Sequence, residues 1–227
     1  MSETQSVHER LDADALSTRD AYRLMTDIVA PRPIAWVSTV DGHGKPNLAP
    51  FSYFQAVCST PPTVIVAIGN RPDGRPKDTL RNILDTRELT ISHVCEPLAE
   101  PMNTTSGTFE PEIDEWEMAA QDGAPLASEP SRLVLPPRVA RARAAMECRM
   151  MQAIPLGEGK HGGPSTTLII AQVLCFWLAP GLARRDDKGH LLPIEPAELA
   201  SVGRLGGMSY ARTRETFELA RPKVPRS

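Results

Sequence analysis

Between Ser17 and Ala30 apolar side chains recur at helical spacing, at Tyr22, Met25, Ile28 and Val29, which predicts an amphipathic helix. Ser17, with Asp20 three residues on, supplies the start signal, and Pro31 stops the helix because it lacks a donor. The pattern then changes. Pro33-Ile-Ala-Trp-Val-Ser-Thr-Val40 is apolar and β-branched and runs into the turn Asp41-Gly-His-Gly44, a strand and hairpin whose partner is Pro46 to Val57. After Pro61-Pro62, the near-continuous hydrophobicity of Thr63 to Ile68 predicts a strand buried on both faces.

Past a polar turn region, Lys77 to Leu84 reads as a short helix, with Leu80 and Leu84 on one face and Asp78 or Thr79 in its first turn. Glu88 to Cys95 reads as another strand. Seven prolines punctuate Glu96 to Pro137, an excursion packed around a core. Ala140 to Ile154 and Thr166 to Leu178 flank a glycine-rich turn and suit a long hairpin. Tyr210 to Arg221 has helical composition, and Ala197 to Arg221 contains no proline; both fit a terminal helix. The expected architecture is one β-dominated domain with peripheral helices over residues 17–221, after a flexible segment 1–16 and before a tail 222–227.

Composition narrows this picture. The chain of 227 residues carries 22 prolines and 15 glycines, below the share typical of low-complexity chains, and its hydrophobic fraction is that of a globular domain. Long bundles and coiled coils are disfavoured. A net charge of -3 gives no basic excess for nucleic acid or an anionic membrane. The longest apolar run, Val173 to Ala179, is far short of a membrane span, and Met1 to Asp14 lacks a secretory core; a soluble cytoplasmic protein is expected. Cys58, Cys95, Cys148 and Cys175 are scattered and read as buried free thiols.

Familiar catalytic motifs are absent: no GxGxxG, no phosphate loop of the Walker type, no HExxH and no GxSxG. The acidic cluster Glu110, Glu112, Asp114, Glu115 and Glu117 reads as a solvated loop face. His8, His43, His161 and His190 lie in polar or glycine-rich stretches, and only His93 sits in a strand, as a core, cleft or catalytic histidine. Two segments stand out. In Asn47-Leu-Ala-Pro-Phe-Ser-Tyr-Phe54, Pro50 stiffens a bend that is either an ordinary strand edge or a ligand-facing surface. Lys77-Asp78-Thr79 at a helix start is either an ordinary cap or an anion site, built from free amides, the dipole, a charge and a hydroxyl.

Arg32-Pro-Ile-Ala-Trp-Val-Ser-Thr39, Asn47 to Phe54, Pro61-Pro62, Lys77-Asp-Thr79 with Asn82, Met102-Asn103, Asp114-Glu-Trp116, Glu147-Cys148 and Arg204-Leu-Gly-Gly207 occur in an order that resembles the flavin reductase-like family with an FMN-binding split barrel, in its subgroup starting Arg-Pro-Ile-Ala-Trp. The resemblance runs from about Met25 to Tyr210. It implies a six-stranded antiparallel Greek-key barrel, a homodimer, non-covalent FMN (FAD being possible) near the subunit interface, and NAD(P)H-dependent flavin reduction.

Carried over residue by residue, the resemblance assigns Asn47, Leu48, Ala49 and Pro50 to the isoalloxazine ring, and Ser52, Lys77 and Thr79 to the phosphate. Thr39 falls to the ring edge or the ribityl chain. Asn103 and the Arg204–Tyr210 stretch also resemble family positions, Gly206 and Gly207 as a possible helix end. Hydride passes directly from nicotinamide to flavin, so no general base is assigned. The protein's task is placement, with backbone amides of Asn47 to Phe51 stabilising charge on the ring. A flavin-carrying electron-transfer protein and a non-catalytic flavin-binding or sensor module are the alternatives. A monooxygenase that consumes reduced flavin is a possible partner.

Overall fold

The structure, a computed structural model, describes residues 8–159 and 162–222. His161, the first seven residues of the segment 1–16 and residues 223–227 of the tail lie outside the described residues. The elements in chain order are α1 (Thr18–Ile28), β1 (Ala35–Val40), β2 (Pro46–Phe51), β3 (Phe54–Ser59), β4 (Pro62–Gly69), α2 (Asp78–Thr86) and β5 (Glu88–His93). They continue with α3 (Ala99–Thr104), α4 (Glu115–Met118), β6 (Ser128–Glu129), β7 (Arg138–Val139), β8 (Ala144–Leu156), β9 (Thr166–Leu178), α5 (Pro196–Leu199), β10 (Val202–Arg204) and β11 (Tyr210–Arg212).

One antiparallel sheet in the order β2-β1-β5-β8-β9-β4-β3 carries the fold. Its two edge strands are neighbours in sequence, separated only by Ser52 and Tyr53. The segment read from sequence as a single strand, Pro46 to Val57, thus bends at Ser52–Tyr53. Its first half pairs with β1, Ala35 opposite Phe51, and its second half with β4, Phe54 opposite Val66. Chain continuity joins the edges and curls the sheet into a barrel, and six strands become seven because one is shared. Register shifts in the β8–β9 hairpin at Glu147/Cys148 and Met150/Gln152 add the local bend that closure needs.

Two apolar cores follow from the alternation of side chains along the strands. Inside the barrel, Ala35, Val37, Phe51, Val64, Val66, Ile91, Cys148 and Ile169 meet Leu80 and Ile83 of α2. On the outer face of β1 and β2, Trp36 and Leu48 pack with Leu98, Met102, Trp116, Leu126 and Val139 of the excursion. Covered from both sides, β1 is buried along its whole length. The strand expected to be buried on both faces, β4, instead alternates, with Val64, Val66 and Ile68 inside and Ile65 and Ala67 partly exposed, because no second layer covers its outer face.

Local signals explain the helices. Ser17 accepts the Asp20 N–H at 3.1 Å and caps α1. At α2, Asp78 suits the positive end of the dipole, and Arg87 ends the helix in the left-handed region at φ 62°. The inward face of α2 is Thr79, Leu80, Asn82 and Ile83, while Leu84 is exposed, so Ile83 replaces Leu84 on the predicted apolar face. The apolar stripe of α1 is also turned outward: Tyr22, Met25, Ile28 and Val29 are all exposed, Ile28 to 75%.

The C-terminal helix does not form. Residues 213–222 are irregular and Tyr210–Arg212 is a strand paired with β10. Glycines 206 and 207 make the turn of that hairpin and end no helix. A Cβ on Gly206 would sit 1.7 Å from the Asp27 carboxylate, so a larger residue there requires that half-exposed side chain to swing aside. The four thiols are free, but only Cys95 and Cys148 are buried; Cys58 is exposed on the uncovered edge strand β3.

Two buried ions fasten this framework. Arg32, 5% exposed, donates to the carbonyls of Thr26 at 2.5 Å, Val29 at 3.1 Å and Leu205 at 3.0 Å, and to Ser52 Oγ at 3.4 Å. It thereby clamps the end of α1 to the barrel and to the β10–β11 hairpin. Glu147, fully buried on β8, accepts the backbone N–H groups of Arg132 and Leu133 at 2.8 and 2.5 Å and the Trp177 indole N–H at 2.5 Å. Burial alone raises the pKa of this carboxyl, but these donors, with the Val134 N–H, outweigh burial and hold it below the usual carboxylate range.

Candidate functional site

The register of β1 with β2 sets Thr39 opposite Asn47, beside the first turn of α2. Around that point Asn47, Ala49, Pro50, Arg71, Lys77, Asp78, Thr79, Glu115 and the loop Thr105 to Phe109 enclose a cleft of about 40 Å³. Five of the eight residues assigned to a cofactor from sequence therefore meet here: Asn47, Ala49, Pro50, Lys77 and Thr79. Leu48 does not line the cleft and packs in the outer core. Thr39 is fully buried and accepts from Asn82 Nδ2 at 3.1 Å. Ser52 is taken up by Arg32.

Charge in the cleft is unevenly satisfied. Arg71, with a side chain 7% exposed, pairs with Asp78 at 2.6 Å and donates to the Phe109 carbonyl at 2.8 Å. Asp78 is also paired with Arg81 at 2.5 Å. Lys77 has no such partner: among the described residues it forms no ion pair, and its ammonium lies 5.4 Å from the centre of the Phe51 ring. Burial, and then the positive charge of Arg71, push the Lys77 pKa down, so an anion seated here would relieve both. No side chain caps the α2 N-terminus, and its first-turn amides add a positive field on the same side.

Glu115 is the residue that sequence reading missed. Grouped there with a solvated acidic face, it is buried, and Asp114 caps α4 through the Trp116 N–H at 2.8 Å; Glu110, Glu112 and Glu117 are exposed. The Asn47 amide nitrogen donates to Glu115 Oε1 at 3.2 Å and its oxygen accepts from Thr79 Oγ1 at 2.9 Å. The reverse orientation would leave that oxygen facing only acceptors. Leu48 N–H points to Glu115 Oε2 at 3.4 Å. Burial, reinforced by Asp114 and Asp78, raises the Glu115 pKa despite these donors. Of the amides expected to face a ring over Asn47 to Phe51, Leu48 is thus engaged by Glu115, and Pro50 has none.

Arg71 had no local signature, since it opens a turn that reads as plain linker. Asn103 and Tyr210 bond to each other, the Tyr210 hydroxyl donating to Asn103 Oδ1 at 2.9 Å beneath Arg204, and neither lines the cleft. The exposed histidines His8, His43 and His190 play no part in it. No group of three or more His, Cys, Asp or Glu among the described residues is placed to hold a metal.

Residues 28–193 match the family described as flavin reductase like domain. An uncharacterized protein of Deinococcus radiodurans is 41% identical over 220 residues, covering 94% of this chain and 90% of its own. Among solved structures, nitrilotriacetate monooxygenase component B from Bacillus cereus superposes with a TM-score of 0.83 at 32% identity, covering 94% of this chain and all of that one. The 2-nitrobenzoate 2-nitroreductase of Pseudomonas fluorescens superposes with a TM-score of 0.78 at 26% identity, covering 96% and 99%.

Proposed function

The chain belongs to the flavin reductase-like family, and we propose that it is an FMN-dependent oxidoreductase that takes hydride from NAD(P)H and seats the FMN phosphate in the cleft at Lys77. The half-buried lysine without an anionic partner, set at an uncapped helix N-terminus, carries this reading. A cleft of about 40 Å³ suits a phosphate, whereas even benzene needs about 150 Å³. The ring system would therefore lie outside, along Ala49 and Pro50. When bound, the flavin supplies a hydride acceptor, and a protein acid or base is not required.

This chain's residues hold and orient. Lys77 and the α2 amides, that of Thr79 among them, take the phosphate; Asn47, fixed by Glu115 and by the Thr79 hydroxyl, sets the floor of the cleft; the proline at position 50 keeps the strand edge rigid beside the ring. Thr39, Leu48 and Ser52 act behind this surface, through Asn82, the outer core and Arg32. The test is an absorbance spectrum of purified protein, titration with FMN, and anaerobic addition of NADH or NADPH. Lys77→Ala is expected to weaken FMN roughly 10–100-fold, the value of a charge-assisted hydrogen bond, and to leave riboflavin within about twofold. Equal losses for both ligands would refute the phosphate assignment, and absence of any flavin affinity would refute the whole reading.

Two further assignments rest on the same basis. The outward apolar face of α1, with exposed Tyr53 beside it, suits a homodimer interface; Phe51 and Phe54, the other aromatics of that segment, belong to the barrel core. Sedimentation should give twice the 24.8 kDa chain mass, and a monomer after Ile28→Glu. The likeness to a monooxygenase component over that protein's full length favours a cytoplasmic role in supplying reduced flavin to a separate oxygenase. No helix among the described residues is long and apolar enough to cross a membrane.

A further inference from the structure

Away from the phosphate cleft, and sharing no lining residue with it, one end of the barrel holds a cavity of about 340 Å³. The segment 31–34 leading into β1, the ends of β5 and β9 and the start of β8 form its walls, and the β10 strand covers it. Ile34, Ile91, Met146 and Val202 make the walls apolar, and Phe54 and Phe176 add aromatic residues to them. Among the described residues the only charged one in the lining is Arg32, whose guanidinium is committed to carbonyls. The polar feature is His93: its Nε2 lies 2.7 Å from Ser201 Oγ, and its Nδ1 is buried without a hydrogen-bond partner.

We propose that this cavity is a second ligand site, for a neutral, flat aromatic molecule of about two fused rings with a single hydroxyl that pairs with His93. Size sets the rings: a cavity of about 150 Å³ binds benzene, and roughly twice that volume takes a bicyclic. Aromatic walls favour a flat partner. With no free charge in the lining, an ionised ligand would lose its hydration uncompensated. Burial, and then the nearby Arg143, lower the His93 pKa, which keeps the ring neutral. Ser201 and the His93 ring bond each other where both line the cavity, and a ligand hydroxyl can join that pair as donor or acceptor. The site does not depend on the flavin reading.

The experiment titrates the full-length protein with 2-naphthol and with naphthalene by calorimetry and probe fluorescence. One saturable site per chain is expected, with 2-naphthol the tighter by about tenfold. His93→Leu should remove that preference while leaving naphthalene within about twofold, and Ala144→Trp should block both probes with FMN affinity unchanged. A readout without substitution is the histidine ring ¹⁵N spectrum, in which 2-naphthol should shift His93 and no other histidine. Absence of saturable binding to the wild type, binding that survives Ala144→Trp, a silent His93 signal, or equal losses of both probes in His93→Leu would each overturn the proposal. The first is also the result expected if a second copy or a chain terminus fills the cavity.

Discussion

Glu147→Ala should lower stability by about 4 kcal/mol, because three partly buried donors lose a fully buried acceptor at once and each orphaned group costs about 1–3 kcal/mol. For a domain of this size that corresponds to a fall in Tm of about 10 °C. The donors are the Arg132 and Leu133 amides and the Trp177 indole, so the loss reaches beyond β8. The loop from Ser131 to Pro136 is held by this carboxylate and by Thr90, which donates to the Pro136 carbonyl at 2.8 Å. Without Glu147 that loop should exchange its amide hydrogens faster than the barrel strands do.

The pH dependence has a fixed sign. The folded-state pKa of Glu147 lies below its ordinary value, so the unfolded chain binds the proton more tightly. The stabilisation is fully present above the unfolded pKa near 4.3 and is lost as pH falls through the folded value. Wild type and Glu147→Gln should therefore differ most near neutral pH and converge in acid. Urea titrations at several pH values, at one fixed protomer concentration, check this; a difference independent of pH would assign the stabilisation to packing alone.

Arg32→Ala is expected to cost about 3 kcal/mol, through unpaired carbonyls at Thr26, Val29 and Leu205 and the packing lost with a long side chain. Arg32→Lys should recover less than half of it. A lysine ammonium has three donors on one atom and cannot span carbonyls presented by α1 and by the β10–β11 hairpin as a planar guanidinium does. The midpoint of urea unfolding at unchanged slope reads this effect, and a lysine variant as stable as the wild type would count against the clamp.

Much of the barrel was legible in the sequence because β-branched, apolar runs and proline punctuation are local signals. Ser17 and Pro31 bounded α1, and the segment beginning at Lys77 announced α2. The bend at Ser52–Tyr53 was not legible, since neither residue forces it and only the pairing of both halves with different strands reveals it. The stretch from Tyr210 to Arg221 misled because helix propensity without a face to bury is insufficient; beyond Thr213 its residues through Pro222 are exposed. In the site, Lys77 and Thr79 could be read because the helix start and the charge are adjacent in sequence. Glu115 and Arg71 could not, because the fold alone brings them there from an acidic loop and a turn. Glu147 could be quoted as part of a motif, but its role depends on donors supplied by a loop with no pattern of its own.

The strand split between the two edges of the sheet limits how this protein can change over generations. Asn47, Ala49 and Pro50 face the cleft from the same stretch whose continuation holds the opposite edge against β4. An insertion between Phe51 and Phe54 would spoil the closure of the sheet and misplace the cleft together, and no drift in one can be selected apart from the other. The exposed turn at 186–189 carries no such double duty. New specificities should therefore arise by changing side chains within the strand and by lengthening turns elsewhere, with the number of residues from Asn47 to Phe54 held constant.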